Sequence, residues 1–502
     1  MSSKAMHRQF IQVHPKDNVV VAVQAITQGT ALPEPWSSIK VRSDVPAGHK
    51  IAIHDVQTEQ SIYKYGYAIG HATQTISAGE HVHSHNLKTS LSGTEEYQFN
   101  GGMALPERSE EVPIFKGYLR NNGRVGIRNE VWIVNTVGCV NQTAKRIATL
   151  AEKRYPEAAD AYVPLTHAFG CSQLGDDLSN TRKLLASLIQ HPNAGGVLVI
   201  GLGCENNQLK SLLAEATGLD ENRVRYFNSQ QVEDEVEHGL NLVEELLKLM
   251  KQDERSEQPI SKLTLGMKCG GSDGFSGLTA NAVVGRMTDK VTNMGGRVIL
   301  TETPEMFGAE QVLMDRADSQ ETFTKIVTLV NGFKQYFIDN QQPVYENPSP
   351  GNKDGGLTTL EEKSLGAIQK GGQAVVNEVI DYGEMATSSQ GLTLLQGPGN
   401  DAVSSTALAA AGANMVLFTT GRGTPLGFPV PTVKISSNPN IAAKKPHWID
   451  FNAGQILDSD VTLDECADKL LAYVLDVASG RLTNNEKNDS REIAIWKNGV
   501  TL

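Results

Sequence analysis

The stretch Val197-Leu198-Val199-Ile200-Gly201-Leu202-Gly203-Cys204-Glu205-Asn206 decides how this chain is read. Four apolar residues, mostly β-branched and ended by glycines, predict a strand covered on both faces. In open α/β sheets, ligands bind outside the carboxyl ends of such strands. The same device recurs at Thr136-Val137-Gly138-Cys139, at Ala168-Phe169-Gly170-Cys171 and at Gly266-Met267-Lys268-Cys269-Gly270-Gly271. Four of the five cysteines therefore stand where a strand gives way to a glycine turn. Thiolates are soft ligands suited to iron, zinc or an iron–sulfur cluster. Separations of 32, 33 and 65 residues exclude a compact CxxC finger and leave a site assembled from several loops. The plain alternative is cysteine acting as a small buried hydrophobe beside a turn.

Outward from that stretch, strands and helices alternate. Strands are expected at 131–136, 161–166, 196–201 and 224–228, with helices near 141–154, 177–190, 206–217 and 231–250. This alternation predicts βαβ units and a mainly parallel sheet. After a charged break at 251–260, a second α/β region follows, with strands near 263–267, 297–301, 392–396, 415–419 and 431–435. Within it, residues 345–356 form a long Pro/Gly/Asn loop, which in a compact domain is either functional or disordered.

Before residue 92 the pattern differs. Short β segments at Val19–Val23, Ile39–Val41, Lys50–Ile53 and Ala68–Ala72 are separated by Pro, Gly and Asp turns. The fold class is thus α/β, a small β-rich amino-terminal module followed by a large two-part α/β body with mainly parallel sheets. The expected units are 1–92, a polar linker at 93–113, a first α/β domain at 114–255 and a second at 256–502.

With 502 residues the chain exceeds a single core. A net charge of −12 without a basic patch argues against nucleic acid or an anionic membrane as partner. No apolar run reaches the roughly 18–20 residues of a spanning helix. Met1 to Lys16 is polar and lacks a secretory pattern, and five scattered cysteines are no disulfide framework. A cytoplasmic location is expected. A homo-oligomer is compatible with all of this.

Other polar groups bear on chemistry. His81, His83 and His85 alternate, so on a strand all three would share one face, as ligands, as proton carriers or as a solvated edge. His167, just before Cys171, is a base or ligand candidate, or a structural histidine. Lys268 adjoins Cys269. Ser272 and Asp273 lie in a glycine-dense loop that leads into a helix near Leu278, and so many glycines suit close backbone approach to a ligand. Gly421-Arg422-Gly423 follows a strand, and Arg422 with backbone N–H groups can hold a carboxylate. Arg124 and Arg128 precede the first body strand. Gly201-Leu-Gly203 lacks the third glycine of a dinucleotide fingerprint, so NAD is poorly supported.

His81-Val-His-Ser-His-Asn86, Gly123-Arg-Val-Gly-Ile-Arg-Asn129, Gly170-Cys-Ser-Gln173, Gly201-Leu-Gly-Cys-Glu-Asn206, Cys269-Gly-Gly-Ser-Asp273, Pro304-Glu-Met-Phe-Gly-Ala-Glu310 and the terminal Gly499-Val-Thr-Leu502 resemble the altronate/galactarate dehydratase family, over nearly the whole chain. The resemblance implies an amino-terminal SAF-like module. It also implies dehydration of D-altronate to 2-dehydro-3-deoxy-D-gluconate in hexuronate breakdown, dependent on Fe2+, with Mn2+ or an iron–sulfur cluster as alternatives. Galactarate dehydration, non-catalytic sugar-acid binding and structural zinc are the rival readings. The expected ligands are Cys139, Cys171, Cys204 and Cys269 or a subset, with His83. His167, Lys268 and His85 are the expected acid–base groups. Arg128, Asn206, Ser272, Asp273 and Arg422 are the expected contacts to a small sugar acid.

Overall fold

The computed structural model describes residues 9–107, 112–458 and 460–502. The start of the polar amino terminus and residues 108–111 of the expected linker lie outside that range. No described helix is long and apolar enough to cross a membrane.

In the body, β1 (Glu130–Asn135), β2 (Tyr162–Leu165), β3 (Ala194–Gly201) and β4 (Val224–Asn228) form an all-parallel sheet in the order β2-β1-β3-β4. Every residue of β1 and β3 is buried, which explains the apolar runs Val131–Val134 and Val197–Ile200 at their centres. Helices α1 (Asn141–Arg154), α2 (Gly175–Leu188), α3 (Leu209–Glu215) and α4 (Glu235–Met250) cover the faces. Asp234 starts α4 by accepting from the N–H groups of Val236 and Glu237.

A second all-parallel sheet holds β5 (Thr264–Cys269), β6 (Arg297–Leu300), β7 (Val376–Ile380), β8 (Gly391–Leu395), β9 (Met415–Thr420), β10 (Thr432–Ser436) and β11 (Phe451–Asn452). Its order is β7-β8-β6-β5-β9-β10-β11. Strand order therefore reverses between β5 and β9, the place where such sheets leave a crevice at their carboxyl ends. In the smaller sheet the reversal falls between β1 and β3. One apolar cluster runs through both sheets, from Trp132 and Val199 to Leu395 and Phe418.

The amino-terminal module has two small antiparallel sheets. Ile39–Val41, expected as a strand, contributes only an isolated bridge between Lys40 and Ala31. Proline and glycine turns on both sides leave it no partner of useful length. The linker needs correction too. Residues 93–107 carry no helix or strand, yet Tyr97 and Phe99 pack on the core, Lys334 donates to the Tyr97 hydroxyl, and Met103 N–H donates to Ala317 C=O. It is a strap held along the body. The charged break also pairs, since Ser256–Pro259 lies antiparallel to Ile114–Leu119.

Candidate functional site

The module docks on the body through closely approaching backbone. A Cβ at Gly274 or Gly356 would collide with the carbonyl of Gly48, and one at Gly48, whose φ is +82°, would sit 3.0 Å from Gly355 O. Beside these glycines, Lys50 and Lys64 both bond the buried Glu362 carboxylate, at 2.9 and 2.8 Å. Burial pushes Lys50 down to about 8, while the Glu362 carboxylate opposes the fall.

That docking carries a histidine cluster to the seam. In the antiparallel pair, Lys50 faces Val82 and Ile51 faces His81. Continuing this register by one residue sets His49 opposite His83, and their ring centroids are 4.7 Å apart. His81 and His83 share a face as expected, stacked at 5.5 Å. Nδ1 of His49 and Nε2 of His81 are 3.0 Å apart. Nε2 of His49 lies 3.3 Å from Asp354 O across the seam. The strand ends at Val82, and the alternation fails after His83. Asn86 Oδ1 accepts from His83 N–H, the chain turns, and His85 is exposed with its ring 5.5 Å from His81.

Burial, reinforced by neighbouring cations, lowers all three inner imidazoles: His49 in direction, His81 from 6.5 to about 3 and His83 to about 4. They are neutral near pH 7, the form that binds metals. His83 Nδ1 is buried without a hydrogen-bond partner. A buried orphan nitrogen beside two further neutral imidazoles fits a divalent transition metal such as iron.

The carboxyl ends of β5 and β6 build a second cluster. Cys269 is buried, and its S–H donates to Glu305 at 3.1 Å while Lys370 Nζ donates to Sγ at 2.8 Å. Lys268 pairs with Glu302 and with Asp401, the latter at 2.9 Å. Burial alone would lower Lys268, but Glu302, Asp401 and Glu305 raise it well above its ordinary value. A lysine held cationic is no base, which corrects the expectation that Lys268 takes up the proton as an acid–base group. Burial, with Glu302 and Glu305, raises the Cys269 thiol. Burial would raise Glu305 as well, but Lys363, Lys268 and Lys370 hold it at about 2. Glu302 adopts φ +70° without being glycine, a local strain of the kind that gathers at functional sites.

Among the described residues, two sets of three potential ligand atoms lie within 4.8 Å of one another, His49/His81/His83 and Cys269/Glu302/Glu305. The four strand-end cysteines do not form one set. Cys139, Cys171 and Cys204 are exposed at the ends of β1, β2 and β3, whereas Cys269 is buried on the other sheet. The three thiol loops are themselves joined. Gly170 packs against Thr136 and Val137, Asn207 N–H donates to Gly170 C=O, and Asn206 Oδ1 accepts from Ser172 N–H at 2.7 Å. Asn206 thus braces the Cys171 and Cys204 loops.

Other expected residues turn out to be structural. His167 is buried, donates from Nε2 to Asn135 C=O at 2.9 Å and accepts at Nδ1 from Phe169 N–H at 3.1 Å. Both ring nitrogens are taken, and burial lowers its pKa, so it is not an available base. Arg128 is buried in a two-pronged pair with Glu486 at 2.7 and 2.9 Å, tying the first body unit to the carboxyl-terminal segment. Asp273 accepts from Ser276, Ser437 and Asn438, which leaves its carboxylate filled. The backbone carbonyl of Ser272 is held by Asn352 at 2.9 Å. Arg422 is exposed at the β5/β9 reversal, with one N–H on Gly351 C=O at 3.2 Å.

Sequence reasoning missed His49, Glu302, Glu305, Glu362, Lys363 and Lys370. Glu305 lies in a quoted motif, and Glu302 directly follows an expected strand, so position alone pointed toward both.

The sequence matches three family models that together span almost all of it. They are the altronate/galactarate dehydratase SAF domain at 8–90, the D-galactarate dehydratase/altronate hydrolase second domain at 117–251, and the D-galactarate/altronate dehydratase C-terminal domain at 260–501. An altronate dehydratase of Bacillus subtilis is 51% identical, over 99% of this chain and 100% of that one. An altronate dehydratase of Escherichia coli is 49% identical, over 98% and 100%. A galactarate dehydratase (L-threo-forming) of Escherichia coli is 32% identical, over 94% and 93%. With its three parts each matched in order and full-length relatives at half identity, the chain belongs to the D-galactarate/altronate dehydratase family.

Proposed function

We propose that this chain is a hydro-lyase that converts D-altronate into 2-dehydro-3-deoxy-D-gluconate and water, a step of hexuronate breakdown. The observation that carries this reading is the full-length identity of about half to two altronate dehydratases, against about a third to the galactarate enzyme. Five free cysteines suit a reducing, cytoplasmic setting.

The reaction removes the proton at C2, expels the hydroxyl at C3 and leaves an enol that becomes the 2-keto acid. Arg422, exposed and anchored among the described residues by one N–H on Gly351 C=O, holds the substrate carboxylate. His85, the exposed member of the histidine group, takes the C2 proton; its imidazolium can return that proton to the departing hydroxyl. The Lys268–Glu302–Lys370 network and Asn352 hold the Gly270–Asp273 loop rigid at the crevice. His49, His81 and His83 would hold Fe2+, with Mn2+ as substitute. A bound divalent metal supplies Lewis-acid stabilisation of the negative charge that develops on the carboxylate side of C2.

A second reading concerns only the cofactor. Three exposed thiols on three adjacent strand ends are a soft donor set suited to an iron–sulfur cluster. Iron and acid-labile sulfide in anaerobically purified wild type, His83→Ala and Cys139→Ser/Cys171→Ser/Cys204→Ser separate the two. Iron lost with His83 and no sulfide supports the histidine site. Sulfide that disappears with the three thiols supports the cluster.

The substrate is tested by 2-keto acid formation from D-altronate and from galactarate. Faster turnover of altronate is expected. A galactarate preference would overturn the substrate, and no product from either would overturn the enzyme.

A further inference from the structure

A cavity of about 280 Å³ lies on the opposite side of the large sheet from the crevice. It opens where β5, β6 and β9 begin, lined by Thr264, Arg297 and Asn414 from one body unit and by Arg124 from the other. Strands of about six residues separate the two ends by roughly 20 Å, so this space is not part of the site described above.

Three cations converge on it, Arg124, Lys262 and Arg297. Among the described residues none of the three forms an ion pair with a carboxylate. Arg124 donates from Nη1 to Gln190 C=O at 3.0 Å, and its Nη2 lies beside Gly412, where a Cβ would come within 2.9 Å. Arg297 donates from Nη1 to Ala386 C=O at 2.9 Å, and its Nε is buried without a hydrogen-bond partner. Glu378, the carboxylate that acts on Arg297, has its oxygens engaged by the hydroxyls of Thr387 and Thr393. Lys262 reaches Gly123 C=O at 3.3 Å. Two half-buried guanidinium groups facing one cavity repel each other, and burial followed by that repulsion lowers Arg124 to about 10. Glu378 offsets part of this charge from beyond pairing distance, which leaves more cation than carboxylate facing the cavity among the described residues.

We propose that this cavity binds a small, multiply charged oxyanion, a phosphate monoester or a compact polycarboxylate, which bridges the two body units. The planar forks of Arg124 and Arg297 suit two-pronged recognition of either group, and Lys262 adds a point charge at the rim. The volume admits a few heavy atoms beyond the anionic group and is slightly below the range for drug-sized ligands.

The test is phenylglyoxal modification of the full-length wild type, mapped by mass spectrometry, with inorganic phosphate, malonate or sodium chloride at matched ionic strength. Exposed Arg286 is the internal control. Phosphate or malonate is expected to slow modification of Arg124 and Arg297 by about tenfold at ten times its Kd, leaving Arg286 unchanged. Protection by phosphate alone assigns a phosphate ester; protection by malonate alone assigns a carboxylate. Lys262→Gln, a change at an exposed side chain, is expected to weaken the apparent affinity by about tenfold. Equal effects of chloride, no protection by either anion, or unchanged affinity in Lys262→Gln would overturn the proposal.

Discussion

Two clusters in this molecule bring three potential metal ligands within 4.8 Å, and they are built on opposite principles. Around Cys269 the carboxylates of Glu302 and Glu305 already face ammonium groups, Lys268 and Lys370 on one and Lys363 on the other. The lysines occupy the cation's place. Around His83 the potential ligands are neutral imidazoles, among the described residues no carboxylate or ammonium pairs with them, and one nitrogen is left without a hydrogen-bond partner. Ligand type and spacing therefore do not identify a metal centre by themselves. What decides is whether the fold has already supplied the counter-charge.

The strongest test of this contrast is Glu302→Ala, which strips Lys268 and Lys370 of a buried partner. Breaking a buried pair from one side typically costs about 3–5 kcal/mol. Urea unfolding should show that loss whether or not metal is present, and a variant as stable as wild type would dissolve the distinction. His83→Ala should do the reverse. Bound iron and turnover with D-altronate are expected to fall by about 100-fold or more, since even groups behind a ligand are worth ~10–100-fold in affinity. Metal-free stability should change little.

Acid separates the clusters as well. His81 and His83 are lowered from 6.5 to about 3 and about 4, so below pH 6.5 the unfolded chain takes up protons that the folded chain refuses. Their contribution to stability is fully present above 6.5 and is lost as pH falls toward those values. Glu305, lowered from 4.5 to about 2, loses its contribution only between those values. Metal-free protein should thus weaken in two steps, the histidine step first, as followed by urea midpoints between pH 7 and 3. A single step below pH 4.5 would remove the histidine assignment. The smallest effect is expected at the exposed thiols. Cys204→Ser should shift stability by no more than about 0.5 kcal/mol. Ellman's reagent should titrate Cys139, Cys171 and Cys204 quickly, and buried Cys269 and Cys466 only on unfolding.

Much of the body was legible because its central strands are buried on both faces. Expected 131–136, 196–201 and 415–419 fall within a residue or two of Glu130–Asn135, Ala194–Gly201 and Met415–Thr420. Val376–Ile380 went unseen because it is an edge strand whose middle residues Asn377 and Glu378 are only half buried, so it lacks the unbroken apolar signature. The histidines stood out by alternation, but His49 did not, because its partnership depends on antiparallel register with a segment 32 residues on.

The sequence by itself determined the α/β body, the β-rich module, the family and the placing of cysteines at strand ends, since these rest on local periodicity and short motifs. The tertiary structure alone decided which of those residues are free to act. It turned His167, Arg128 and Asp273 inward onto partners that lie far away in the chain or belong to its backbone, and it held Lys268 cationic among carboxylates. It also split the four cysteines between two sheets and gathered His49, His81 and His83 at the seam with the module. Burial and counter-charge are properties of assembled neighbours, and no local pattern encodes them.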